Sequence, residues 1–166
     1  GKSSFPRANY GLNINLSYKG FSFSTLFQGA TRFDMYLGSV LMMSDANTGS
    51  SPTYEFQTDY WTPENTDAKF PRLLSSTGNN GSNNTVGSDF WLINGGYLRM
   101  RDIQVGYDFK RILLKKTSWI TRLNVALSGQ NIFTISEATK YGIDPENGSA
   151  NRYDYPNERV FAINFG

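Results

Sequence analysis

The sequence predicts an all-β fold, an antiparallel up-and-down meander whose strands belong to a transmembrane barrel. Three observations predict it. Residues 9–18 alternate apolar and polar without a break. The polar half of the alternation along the chain is Asn, Ser, Gln and Gly with few charges, which suits a hydrated lumen better than a solvent-washed sheet. The connections alternate short with long, as periplasmic turns and extracellular loops do.

The first strand, 9–18, sets Tyr10, Leu12, Ile14, Leu16 and Tyr18 against Asn9, Gly11, Asn13, Asn15 and Ser17. A strand of that length, at ~3.3 Å rise and ~40° tilt, spans roughly 25 Å, the height of the apolar band. Tyr10 and Tyr18 then fall about 20 Å apart, one near each interface. Lys19-Gly20 reads as a tight hairpin turn. The second strand, 21–30, puts Phe21, Phe23, Thr25 and Phe27 on one face, with Leu26 as an exception on the other.

A long Ser-, Asn- and Gly-rich connection, 31–96, follows. Its apolar run, 35–43, fits either a short helix or a strand. The third strand, 97–109, opposes Ile103, Val105, Tyr107 and Phe109 to Asp102, Gln104, Gly106 and Asp108. After a shorter connection, 110–121, the fourth strand, 122–133, opposes Leu123, Val125 and Leu127 to Asn124, Ala126, Ser128 and Gln130. A second long connection covers 134–158. The last strand, 159–166, opposes Phe161, Ile163 and Phe165 to Ala162, Asn164 and Gly166.

The two long connections are expected outside the cell, so the last strand runs toward the periplasm. Five strands are odd in number and too few to close a barrel. Open edges in lipid would leave N–H and C=O groups unpaired, at a cost of several kcal/mol each. The chain is therefore expected to be one part of a larger barrel, with partner strands upstream.

Composition narrows the chemistry. There is no Cys and no His among the 166 residues, which removes thiolates, the commonest metal ligand and the usual general base. Sixteen basic residues against 14 acidic ones, scattered along the chain, give no footprint for nucleic acid. No apolar stretch approaches the ~18 residues of a membrane helix, a fact silent about strands. Asp144 and Glu146 are the nearest thing to a catalytic or calcium-binding pair, but their Pro-Asn-Gly setting reads as a turn. No enzyme activity, cofactor or metal site is expected.

Several segments resemble a known family. Tyr60-Trp61-Thr62-Pro63-Glu64-Asn65, then Ala68-Lys69-Phe70-Pro71-Arg72-Leu73, is similar to a recurrent segment of SusC/RagA-type TonB-linked outer-membrane proteins. So are Ser88-Asp89-Phe90-Trp91, the run from Gly96 to Tyr107, Ser128-Gly129-Gln130-Asn131-Ile132-Phe133-Thr134, Gly142-Ile143-Asp144-Pro145-Glu146 and Tyr155-Pro156. The matches fall in order across most of the chain. The resemblance implies the C-terminal part of a roughly 22-stranded barrel, with the plug domain outside this sequence. It also implies a Gram-negative outer-membrane location and nutrient uptake energised through TonB. A SusD-like surface lipoprotein would lid the barrel, and the cargo would be oligosaccharides or peptides. One departure is that the sequence stops at Gly166, where such barrels usually finish on an aromatic residue.

On this reading, Leu12, Ile14, Leu16, Phe23, Val105, Phe161, Ile163 and Phe165 face outer-membrane lipid. Asp102, Gln104 and Asp108 face the lumen, where they line the substrate path, meet the plug or simply hold water. Arg99 and Arg101 share the parity of Ile103, which puts them on the lipid face, so they are expected above the apolar band, at a solvated rim in preference to a contact with lipopolysaccharide phosphates. Tyr54, Phe56, Tyr60 and Trp61, in the first long loop, are candidates for stacking on cargo or packing against the lipoprotein; the structural reading makes them the loop's own small core. The competing fold is a soluble β-sandwich carbohydrate-binding module, which would hide its apolar face in a closed core.

Overall fold

A computed structural model describes residues 3–37, 55–72, 86–110, 123–147 and 157–166. Seven strands are present among them: β1 (Ala8–Tyr18), β2 (Phe21–Thr31), β3 (Asp34–Tyr36), β4 (Leu92–Asn94), β5 (Tyr97–Asp108), β6 (Asn124–Ser136) and β7 (Val160–Phe165). Short 3-10 turns lie at Glu55–Thr58, Asp89–Trp91 and Ala138–Tyr141. No described helix is long and apolar enough to cross a membrane, which says nothing about strands. The chain divides into two compact units.

The first unit comprises Pro6–Arg32, Gly96–Ser136 and Pro156–Gly166. It is a five-stranded antiparallel sheet in the order β1-β2-β5-β6-β7, so the expected meander holds. β1 and β2 pair without interruption from Ala8↔Thr31 to Tyr18↔Phe21. The turn between them is two residues long, with Lys19 at φ 48 and Gly20 at φ 91, the left-handed backbone that matches the twist of a tight hairpin. Gly20 also accepts a hydrogen bond from the Asp108 N–H at 2.8 Å, which ties the turn to β5.

Cross-strand partners lie on the same side of a sheet, so the register fixes the faces. One row across all five strands reads Leu16, Phe23, Val105, Leu127, Ile163. The adjacent row reads Asn15, Ser24, Gln104, Ser128, Ala162. The period-two pattern of each strand is thus stacked in phase with its neighbours. Thr25, on the apolar side between Phe23 and Phe27, is buried, and its hydroxyl donates to the Asp102 carbonyl at 3.0 Å, which removes the cost of a polar group there.

The phase is reset once. Leu26 pairs with Asp102 but Phe27 pairs with Met100, leaving Arg101 as an extra residue of β5. On the other side Met100↔Phe133 and Asp102↔Gln130 leave Asn131 and Ile132 opposite that same residue, with Asn131 in left-handed backbone at φ 53. A bulge of this kind exchanges the faces of every residue beyond it. Met100 therefore joins the apolar face beside Phe27 and Phe133, whose rings lie 6.3 Å apart. Arg99 moves to the polar face, between Gln28 and Thr134.

The second unit comprises Gly1–Phe5, Phe33–Gly95 and Glu137–Tyr155. β3 and β4 pair within it, Asp34↔Asn94 to Tyr36↔Leu92. The start of the apolar run 35–43 is therefore strand; residues 38–43 lie outside the described residues. Its buried side chains are Phe33, Met35, Leu37, Phe70, Trp91, Ile93, Ala138 and Tyr141, drawn from both long connections. Gly95 is required where it stands, because the Phe33 ring fills the space of a side chain there.

Candidate functional site

The sheet of the first unit offers two different surfaces. All eight residues expected to face lipid, Leu12, Ile14, Leu16, Phe23, Val105, Phe161, Ile163 and Phe165, lie on one face. That face is open rather than packed: Leu16 is 59% exposed, Ile163 60% and Phe165 76%. A soluble sandwich would have buried these side chains against a second sheet.

Asp102, Gln104 and Asp108 lie together on the opposite face. Gln104 is exposed, and the two carboxylates are half-buried. Their neighbours are amides and hydroxyls that bond one another: Asn15 Nδ2 donates to Asn13 Oδ1, and Asn164 Nδ2 to Ser128 Oγ, both at 3.2 Å. At the tight-turn end this surface dips into a hollow of about 460 Å³, lined by Ser17, Ser22, Gln104, Gly106, Asp108 and Asn124 among others. The floor is low because Gly106 and Ala126 carry little or no side chain. Asp108 Oδ1 accepts the Lys110 N–H at 2.8 Å.

Arg99 corrects the sequence expectation of a solvated rim. It is 3% exposed, and its Nε donates to Thr134 Oγ1 at 2.8 Å. The bulge at Arg101 is the cause: counting by twos from Ile103 crosses an extra residue. The guanidinium carbon also stands 6.0 Å from the Tyr97 ring centroid.

In the second unit, Tyr60 and Trp61 open a closed turn. Thr62 and Asn65 bond each other through both backbones, and Thr62 Oγ1 also accepts the Asn65 N–H at 3.0 Å. Asn65 Nδ2 reaches Asp59 Oδ1 at 3.2 Å and the Tyr60 carbonyl at 3.3 Å. Asp59 Oδ2 accepts the Lys69 N–H at 3.2 Å. The Trp-Thr-Pro-Glu-Asn segment is thus a turn knotted around one asparagine. Trp61 is 37% exposed and Tyr60 half-buried. Tyr54 and the Phe56 side chain lie outside the described residues.

Of the aromatic residues that do fill this unit, Phe70, Phe90 and Trp91 entered the sequence reading only as members of family-like segments and not as core. Phe70 stacks on Trp91 at 6.3 Å and 24°, and Phe90 meets Trp91 edge-on at 4.8 Å. Lys69 Nζ donates to the Tyr141 hydroxyl at 2.7 Å, over the Phe70 and Tyr141 rings. Glu137 Oε2 accepts the Asn94 N–H at 3.1 Å. The available signal was the crowding of aromatic residues in Asp89-Phe90-Trp91 and beside Lys69. Asp144 Oδ1 accepts the Glu146 N–H at 3.0 Å, which makes that carboxylate pair a turn. Among the described residues no group of three or more metal-ligating side chains converges.

A five-stranded antiparallel meander with one apolar and one polar face, both open, defines a wall segment of the transmembrane-barrel class. The comparisons with known proteins agree. TonB-dependent receptor P3 of Formosa agariphila is 25% identical over 171 residues, covering 95% of this chain and 16% of its own length. TonB-dependent receptor P39 of the same organism is 31% identical over 144 residues, covering 84% of this chain and 13% of its own length. A chain of the RagAB peptide importer in its open-open state superposes with a TM-score of 0.72 at 21% identity, over 98% of this chain and 17% of that one. No protein-family model matches. The resemblance to TonB-dependent receptors read from the motifs therefore stands, over nearly the whole chain, and the location is the Gram-negative outer membrane. The chain spans a small fraction of the relatives' length.

Proposed function

We propose that this chain is the C-terminal wall of an outer-membrane barrel that imports oligosaccharides or peptides, energised through TonB. The observation that carries the reading is the open apolar face, with Leu12, Leu16, Phe161, Ile163 and Phe165 all exposed, of a sheet whose five strands are in phase. Apolar area of that extent, left in water, would drive aggregation; in lipid it is solvated. Among the described residues β1 and β7 each pair on one side only. Unpaired strand edges are untenable in hydrocarbon, so further strands of the same barrel seat on both.

In this reading the eight apolar residues meet lipid, while Asp102, Gln104 and Asp108 look into the lumen toward a plug domain or passing cargo. The two long connections, 31–96 and 134–158, are the extracellular loops of this reading. Trp61, exposed on a rigid turn, offers a ring to a SusD-like lipoprotein or to cargo. The naming of two relatives as receptors and of a structural neighbour as a peptide importer supports transport over catalysis.

The test is made on the full-length protein. It is expected to leave the outer membrane only with detergent, and its deletion to abolish growth on an oligosaccharide or peptide source while growth on the free monomers persists. A protein monomeric and soluble without detergent, or unaltered growth on every polymer tried, would overturn the proposal.

A further inference from the structure

The tight-turn end of the sheet carries a feature that the transport reading leaves unused. Tyr18, Phe21, Tyr107, Val125 and Phe165 form one row across all five strands on the apolar face. Tyr18 is 68% exposed and Phe165 76%. At the end of this row Lys19 holds its ammonium 5.0 Å from the Tyr18 ring centroid. Attraction between a cation and a ring face favours placing this exposed charge beside the aromatic row.

The residue type at this position is itself informative. Lys19 has φ 48 and Gly20 φ 91, so both turn residues are left-handed. Asn, Asp and Gly are the favoured residues at the first such position, and an ordinary side chain there carries some strain. The turn alone therefore does not account for a lysine in that place.

We propose that this rim is a headgroup site for an anionic phospholipid of the inner leaflet. Lys19 meets the phosphate, and Tyr18, Phe21 and Phe165 lie along the upper acyl chains, with the Tyr18 and Tyr107 hydroxyls at headgroup depth. The inference rests on the membrane reading above, because the row meets lipid only if the sheet spans the bilayer.

The experiment uses the full-length protein in nanodiscs of mixed phosphatidylglycerol and phosphatidylcholine, with the lipids retained on release counted by native mass spectrometry. The wild-type protein is expected to retain phosphatidylglycerol over phosphatidylcholine by about five-fold, the factor one lysine supplies near an anionic surface. Lys19→Asn keeps a residue the turn favours and should lose the preference; Lys19→Arg should keep it. Equal retention in the wild type, an undiminished preference in Lys19→Asn, or displacement by excess inorganic phosphate alone would each overturn the site. A protein that inserts but shows no preference sinks only this inference. One that never needs amphiphile sinks the barrel reading with it.

Discussion

The hydroxyl of Tyr10 donates to the carbonyl of Tyr97 at 2.6 Å, reaching past β2 to do so. The contact is possible because Gly29 lies between them: a side chain on Gly29 would occupy the space of the Tyr10 phenol and of the Tyr97 carbonyl. One aromatic side chain thus covers a bare stretch of strand and latches three strands together.

Tyr10→Phe is expected to cost about 1 kcal/mol, the net worth of one hydrogen bond. Gly29→Val should cost more, about 1–3 kcal/mol, because the new side chain must displace the ring. Urea midpoints of the full-length protein refolded in lipid vesicles measure both. Equal midpoints for the wild type and Gly29→Val would show that the ring does not lie there.

Single cysteines tell the faces apart. This chain has none of its own, so labels are introduced into a background cleared of any other cysteines. Cysteines replacing Leu16, Phe23, Val105 and Ile163 should resist a water-soluble thiol reagent, and a fluorophore attached to them before refolding should be quenched by bromolipid. Those replacing Asn15, Ser24, Gln104 and Asn164 should behave oppositely. A pattern that fails to alternate would sink the lipid assignment.

Arg99→Leu removes a charged donor from Thr134 and should destabilise by ~1.5–3 kcal/mol. Deleting Arg101 should be the milder change, since Met100 and Asp102 then run in unbroken register with Phe27 and Leu26 of β2 and Arg99 stays on the polar face opposite Gln28. The same urea titrations rank them. An Arg101 deletion harsher than Arg99→Leu would remove the bulge from the account.

In the second unit, Trp91→Ala should cost ~3–5 kcal/mol and open the long connections to limited proteolysis. Trp61→Ala, at an exposed position, should cost no more than about 0.5 kcal/mol and leave the proteolytic pattern intact. It is expected to weaken cargo or lipoprotein binding. Unchanged affinity for both would reduce Trp61 to surface decoration.

The legibility of these features in sequence follows from their range. Leu16, Phe23, Val105 and Ile163 could be placed on one face because a strand's period is two and each strand states it locally. Arg99 could not, because a bulge adds one residue without a marker; Asn131, of a type that tolerates left-handed backbone, is the faint cue. Tyr60 and Trp61 stood out by motif, but the core that formed around Phe33, Trp91 and Tyr141 joins residues far apart in the chain. No short window contains that information. Lys19-Gly20 announced its turn by composition, while the position of the lysine beside Tyr18 needed coordinates.

The Lys69–Tyr141 and Glu137–Asn94 hydrogen bonds join one long connection to the other. The two segments are therefore a single inheritable cassette. Swapping one alone between homologous receptors would break the Lys69–Tyr141 and Glu137–Asn94 bonds and uncover the seats of Phe33 and Ala138. A chimera that exchanges both together keeps its interior, and with it a ready-made scaffold on which a new specificity can be displayed.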